Sequence, residues 1–143
     1  MAVFRPEDEA RVRELFAELE RPVELLVALG PEETPLVGAA RDIDFGAETV
    51  KVVRGLAELS ELVTCRVEEE PAGFERYPAV SVRPEGREAG VRYDGLPFGY
   101  ELGSLIGAIL EAGRAASSLT GETLARLESL DRDVAIDVFV TPT

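Results

Sequence analysis

A chain of 143 residues with 45% apolar and 30% charged side chains suits one compact globular domain with a real core. Its 28 Asp and Glu outweigh 15 Lys and Arg, and the net charge of -13 disfavours nucleic acid or an anionic membrane as partner. With no His and a single Cys, it lacks the commonest general base and metal ligand and cannot form an internal disulfide, a Cys-x-x-Cys pair or a zinc–thiolate cluster by itself.

Asn, Gln and Trp are also absent, and Arg supplies 14 of the 15 basic residues. The loss of thermolabile side chains is one signature of proteins from hot environments, although an Arg bias follows equally from a GC-rich genome. The N-terminus has no signal-peptide apolar stretch, and no apolar run approaches the ~18 residues of a spanning helix. The expectation is a soluble, cytoplasmic protein that engages neither membrane nor nucleic acid and needs no cofactor.

The first helix opens at Pro6, where a missing N–H costs nothing, with Glu7, Asp8 and Glu9 at the positive end of its dipole. Val12, Leu15, Phe16 and Leu19 form one apolar stripe, and Pro22 is expected to stop the helix. Val23–Leu29 reads as a buried strand bounded by Pro22 and Gly30-Pro31. Residues 30–48 read as a long loop with one short helical turn around Pro35–Arg41. A second helix from Ala47 would bury Val50, Val53, Leu56, Ala57 and Leu59.

Val63–Val67 alternates as a half-buried strand that ends in the acidic run Glu68-Glu69-Glu70 and Pro71. Ala79–Arg83 is another alternating strand, turned by Pro84-Glu85-Gly86 into an antiparallel partner over Gly90–Gly95. Residues 98–112 carry Phe98, Leu102, Leu105, Ile106, Ile109 and Leu110 at helical spacing. Gly99, Gly103 and Gly107 along that helix predict a small-residue groove for close contact with a sheet or another helix.

The remaining segment repeats the beginning. A shift of 111 positions sets Leu127 on Phe16, Leu130 on Leu19 and Arg132 on Arg21. It also sets Val134, Ile136, Val138 and Val140 on Val23, Leu25, Val27 and Leu29, and Pro142 on Pro31. A duplicated structural unit explains this pattern. Residues 1–117 would then form one complete unit, and residues 118–143 the first helix and strand of a second. A strand at 134–140 would leave an edge to cover, by pairing with a second copy or another protein.

An N-terminal helix followed by βαβ and ββα, with an X-Pro bond just before the third strand, resembles the thioredoxin/glutaredoxin topology. The expected fold class is therefore α/β, thioredoxin-like, with a mixed four-stranded sheet. Tyr77-Pro78-Ala79-Val80 stands where that fold carries its cis-proline. Arg21-Pro22-Val23-Glu24-Leu25, Gly55–Ser60 and Val91–Leu105 resemble glutaredoxin-like protein disulfide oxidoreductases. Leu130-Asp131 with Val138–Thr143 adds to this. The same segments are similar to the N-terminal domain of the alkyl hydroperoxide reductase flavoprotein.

The resemblance implies a Cys-x-x-Cys at the start of the second helix, with its thiols near Ile43 and Gly46. Neither position is Cys. A second such motif would begin after Thr143. The degenerate site region is therefore Asp42, Ile43, Asp44, Phe45 and Gly46 with Tyr77 and Pro78, and no catalytic residue is assigned. Asp42-x-Asp44-x-Gly46 with Glu48 lacks the spacing of a calcium loop and reads as a solvated loop. Cys65 alternates with Val63 and Val67 and reads as an inert core thiol, away from the helix start that would lower its pKa.

The expected function is a non-catalytic thioredoxin-like module that docks a protein or forms a homodimer through its C-terminal strand. The alternative is the N-terminal part of a dithiol oxidoreductase whose Cys-x-x-Cys lies beyond Thr143.

Overall fold

The structure is a computed structural model that describes residues 3–31 and 43–140. Its elements run α1 (Pro6–Phe16), β1 (Val23–Leu29), α2 (Phe45–Ala57), β2 (Val63–Glu69), β3 (Ala79–Pro84), β4 (Val91–Asp94), α3 (Tyr100–Ala112) and α4 (Gly121–Glu128). The short helical turn expected around Pro35–Arg41 lies outside the described residues, as does Asp42.

One four-stranded sheet, ordered β2-β1-β3-β4, organises the molecule. β1 pairs parallel with β2, Leu25 opposite Cys65, and antiparallel with β3, Leu25 opposite Val82. Parallel neighbours need a crossover, which α2 supplies. β3 and β4 form a hairpin whose turn sets Glu85 at φ 51° and Gly86 at φ 77°, so the glycine occupies left-handed backbone that few other residues enter easily.

The central strand is buried on both faces, as its unbroken apolar run requires. Val23, Leu25 and Val27 point to the main core with Phe16, Val53, Leu56, Leu105 and Ile109. Leu26 and Ala28 point to the other face, where Phe74 and Ala79 close a second cluster with Tyr77 packed against it.

Three expectations change here. α1 ends at Phe16, well before Pro22. The following turn instead donates from the Glu20 and Arg21 N–H groups to the Gly113 carbonyl at 2.8 and 3.0 Å, tying the start of β1 to the end of α3. Gly103 and Gly107 form no packing groove, since a side chain placed on either would meet open space. Finally, α4 forms with Thr120 as its N-cap, but residues 134–140 make no strand. A strand exists only through ladder hydrogen bonds, and no strand among the described residues pairs with this one. Val134, Ile136, Val138 and Phe139 are all exposed, whereas the β1 positions that Val134, Ile136 and Val138 repeat are buried.

Candidate functional site

The site region lies at the C-terminal end of β1, where α2 begins. α2 starts at Phe45 because Asp44 has extended backbone and its carboxylate accepts from the Ala47 N–H at 2.9 Å. That bond satisfies one of the donors a helix N-terminus leaves open, and the carboxylate complements the dipole. In the next turn the Thr49 hydroxyl, fully buried, donates back to the Phe45 carbonyl at 2.7 Å.

Ile43 and Phe45 are 43% and 49% exposed at this corner. Gly46 is enclosed: a Cβ there would sit 3.2 Å from Leu29 Cδ2 and 3.3 Å from Asp44 Oδ1. The two positions named by the resemblance thus hold an exposed aliphatic side chain and a glycine in close quarters.

Across the sheet end stands Tyr77-Pro78, whose peptide bond is cis. The Pro78 carbonyl accepts from the Gly95 N–H at 2.7 Å, and the Tyr77 hydroxyl donates to the Phe74 carbonyl at 2.8 Å. The Tyr77 ring lies on Gly30, where an added Cβ would come within 2.8 Å of Tyr77 Cβ and Cδ2. Gly30 belongs to the site although the sequence marks it only as a strand boundary. Leu96 and Phe98 are site neighbours. The sequence pattern did not single out Leu96, and it set Phe98 on the apolar face of the last core helix, whereas α3 begins only at Tyr100 and Phe98 is exposed. Both line a shallow groove of about 270 Å³ with Val3, Glu48, Lys51 and Val52, beside the first turns of α2. The pattern Gly95-Leu96-Pro97-Phe98-Gly99 was the available signal, since it sets apolar residues between two glycines before a helix.

Cys65 stands apart from this corner. It pairs in register with Leu25, four residues from Leu29, which is about 13 Å along the strand. Burial pushes its thiol above the ordinary value, and the Arg54 guanidinium offsets that only in part. A thiol kept protonated is a poor nucleophile.

The open face of the sheet is held by charge. Arg83 and Arg92 reach the Glu88 carboxylate at 3.2 and 3.1 Å, and Arg66 lies 3.6 Å from Glu24 and 3.3 Å from Glu68. Arg92 also lies 3.9 Å above the Phe74 ring, closing the second apolar cluster. Among the described residues no three acidic or thiol side chains gather as a metal site would require.

No family model matches the sequence. The alkyl hydroperoxide reductase AhpF of Staphylococcus epidermidis is 26% identical over 129 residues, covering 90% of this chain and 25% of that protein. The Pseudomonas aeruginosa AhpF is 25% identical over 96 residues, 67% of this chain and 18% of its own length. The chain thus spans about a quarter of the curated relatives it matches. Among solved structures, the NTD_N/C domain of the Enterococcus faecalis AhpF superposes with a TM-score of 0.74 at 20% identity, over 90% of this chain and 62% of that one. A protein disulfide oxidoreductase from Aeropyrum pernix superposes with a TM-score of 0.69 at 24% identity, over 88% and 55%.

The fold is thioredoxin-like. The chain is similar in sequence to alkyl hydroperoxide reductase AhpF, and it shares its fold with the AhpF NTD_N/C domain and with a protein disulfide oxidoreductase. No helix among the described residues is long and apolar enough to cross a membrane.

Proposed function

We propose that this chain is a redox-silent thioredoxin-like module that serves protein docking or dimerisation in a redox-related system of the cytoplasm. The observation that carries the reading is the start of α2. Ile43 and Gly46 stand near where the resemblance sets the thiols, and the helix N-terminus that would stabilise a thiolate is capped by the Asp44 carboxylate. Cys65 offers no substitute, being remote along β2 and held protonated by burial.

Insulin reduction with dithiothreitol as electron donor tests this. The chain should add nothing to the rate with dithiothreitol alone, and Cys65→Ser should behave identically. Catalysis that depends on Cys65, or that survives its removal, would overturn the reading.

A second reading has one observation in its favour. α4 and residues 134–140 repeat the apolar phase of α1 and β1 yet leave it exposed, as the opening of another thioredoxin-like unit would. The chain would then be part of a dithiol oxidoreductase whose Cys-x-x-Cys lies beyond Thr143. The codons after Thr143 decide: a Cys-x-x-Cys there supports this second reading, and a stop codon removes it.

A further inference from the structure

We propose that residues 134–140 of one copy add as a strand to the outer edge of β2 in a second copy, which deepens the dimerisation reading above by naming its surface. β2 ends the sheet, and its outer side pairs with no strand among the described residues. Both segments are seven residues long, Val63–Glu69 and 134–140. An exposed edge facing an exposed alternating segment is the arrangement that strand addition uses.

Phase and charge select this edge. In β1, Val23, Leu25 and Val27 face the helix-bearing core, and the repeat sets Val134, Ile136 and Val138 on those positions. On β2 the core-facing side is unfinished. Val63 is buried, but Cys65 and Val67 are only half-covered, as are Val50 and Ala57 of α2 above them. A strand laid outside β2 with its valines and isoleucine on that side would complete the cover. Full-length pairing sets Asp137 opposite Arg66 whether the strands run parallel or antiparallel, because each is the fourth of seven residues. Asp137 is the only charged residue of its segment, and Arg66 the only cation of β2. Arg66 is half-exposed and bridges Glu24 and Glu68, so its guanidinium is held on the face of the sheet that Asp137 would share. Val91–Asp94 at the opposite edge has four residues, too short to pair with all seven.

Cys65 makes the pairing readable. Parallel addition sets position 136 beside Cys65, and antiparallel addition sets position 138 there, within the Cα spacing a disulfide tolerates. Ile136→Cys and Val138→Cys are therefore oxidised in the full chain and resolved on non-reducing gels. Ala135→Cys, on the opposite face, serves as the control. One of the first two should give a dithiothreitol-reversible dimer that disappears when Cys65→Ser is added, while Ala135→Cys gives little. Ile136→Asp should weaken association on the order of a hundredfold by light scattering, because it sets a carboxylate against an apolar rim, and should leave the circular-dichroism melt unchanged. Equal cross-linking from all three positions, dimer bands that persist without Cys65, or a link within one chain would each overturn the proposal. A dimer by light scattering with no Cys65 link would keep dimerisation and overturn this edge. A clean monomer at micromolar concentration overturns both, and neither result touches the redox-silent reading that insulin reduction tests.

Discussion

Gly30→Ala probes whether the end of β1 holds the Tyr77-Pro78 corner in place. An added Cβ would meet Tyr77 Cβ and Cδ2 at 2.8 Å and Cγ at 2.9 Å. Tyr77 Cβ is the root of the side chain, which no rotamer change moves, so turning the ring alone gives no relief. The ring is further fixed by the hydroxyl bond to the Phe74 carbonyl at 2.8 Å, and Phe74 is packed on Leu26 and Ala28. Overpacking of such a site costs about 1–3 kcal/mol. With a urea dependence of about 1.5 kcal/mol per molar, a loss of about 2 kcal/mol lowers the unfolding midpoint by roughly 1.3 M. Urea titration followed by circular dichroism reads that shift. Adding Gly30→Ala to Tyr77→Ala should cost little more than Tyr77→Ala alone, because the clash partner is gone. A midpoint unchanged by Gly30→Ala, or a full additional loss in the double variant, would refute the claim that Gly30 is there for Tyr77.

Burial raises the Glu88 carboxyl, but the Gly90 N–H and the Arg92 and Arg83 guanidiniums outweigh it and hold the group below the ordinary glutamate value. Its stabilising contribution is therefore present above the ordinary glutamate range and lost as pH falls through the folded value. Solvent screening keeps it under about 1 kcal/mol, so Glu88→Gln should flatten slightly the loss of stability measured between about pH 6 and about pH 3. Iodoacetamide at neutral pH should label Cys65 at least about tenfold faster in urea than in the folded chain, because folding both covers the thiol and keeps it protonated; equal rates would show an accessible thiol. Restoring a dithiol with Ile43→Cys and Gly46→Cys in a Cys65→Ser background should give weak insulin reduction, since the Asp44 carboxylate 3.3 Å from the new Cβ raises the thiol pKa. Asp44→Ser keeps a capping oxygen, removes the charge and should raise that activity; no gain would show that the carboxylate is not what holds it down.

The strands and long helices were legible because their signals are local: alternation, helical spacing and proline or glycine punctuation. What the sequence misplaced depends on partners far along the chain. Leu19 continues the apolar stripe of α1 yet lies beyond its end, because the next N–H groups find the Gly113 carbonyl rather than a further turn. Gly103 and Gly107 have the spacing of a packing groove, but α3 turns them outward, and spacing cannot say which side of a helix meets the sheet. Val134–Val140 has the pattern of a strand and lacks the partner that would make it one. At the site, Ile43 and Gly46 were located through the resemblance alone, while Gly30, Leu96 and Phe98 join it only through tertiary contact.

The same division explains how this fold persists without the thiols. The buried side chains that set the sheet and its helices, Phe16, Leu25, Val27, Val53, Leu56, Leu105 and Ile109, lie outside the start of α2. The residues at the start of α2, where the resemblance sets the thiols, add little to the core: Ile43 and its neighbour Phe45 are about half exposed, and Gly46 has no side chain. Replacing two cysteines there changes almost no buried apolar area, so stability gives little reason to retain them. The helix start is different. Its N–H groups need an acceptor whether or not a thiolate is present, and Asp44 supplies one from between Ile43 and Gly46. The cap and core can therefore keep the shape of this corner whether or not thiols stand in it, which is what the redox-silent reading proposed above requires.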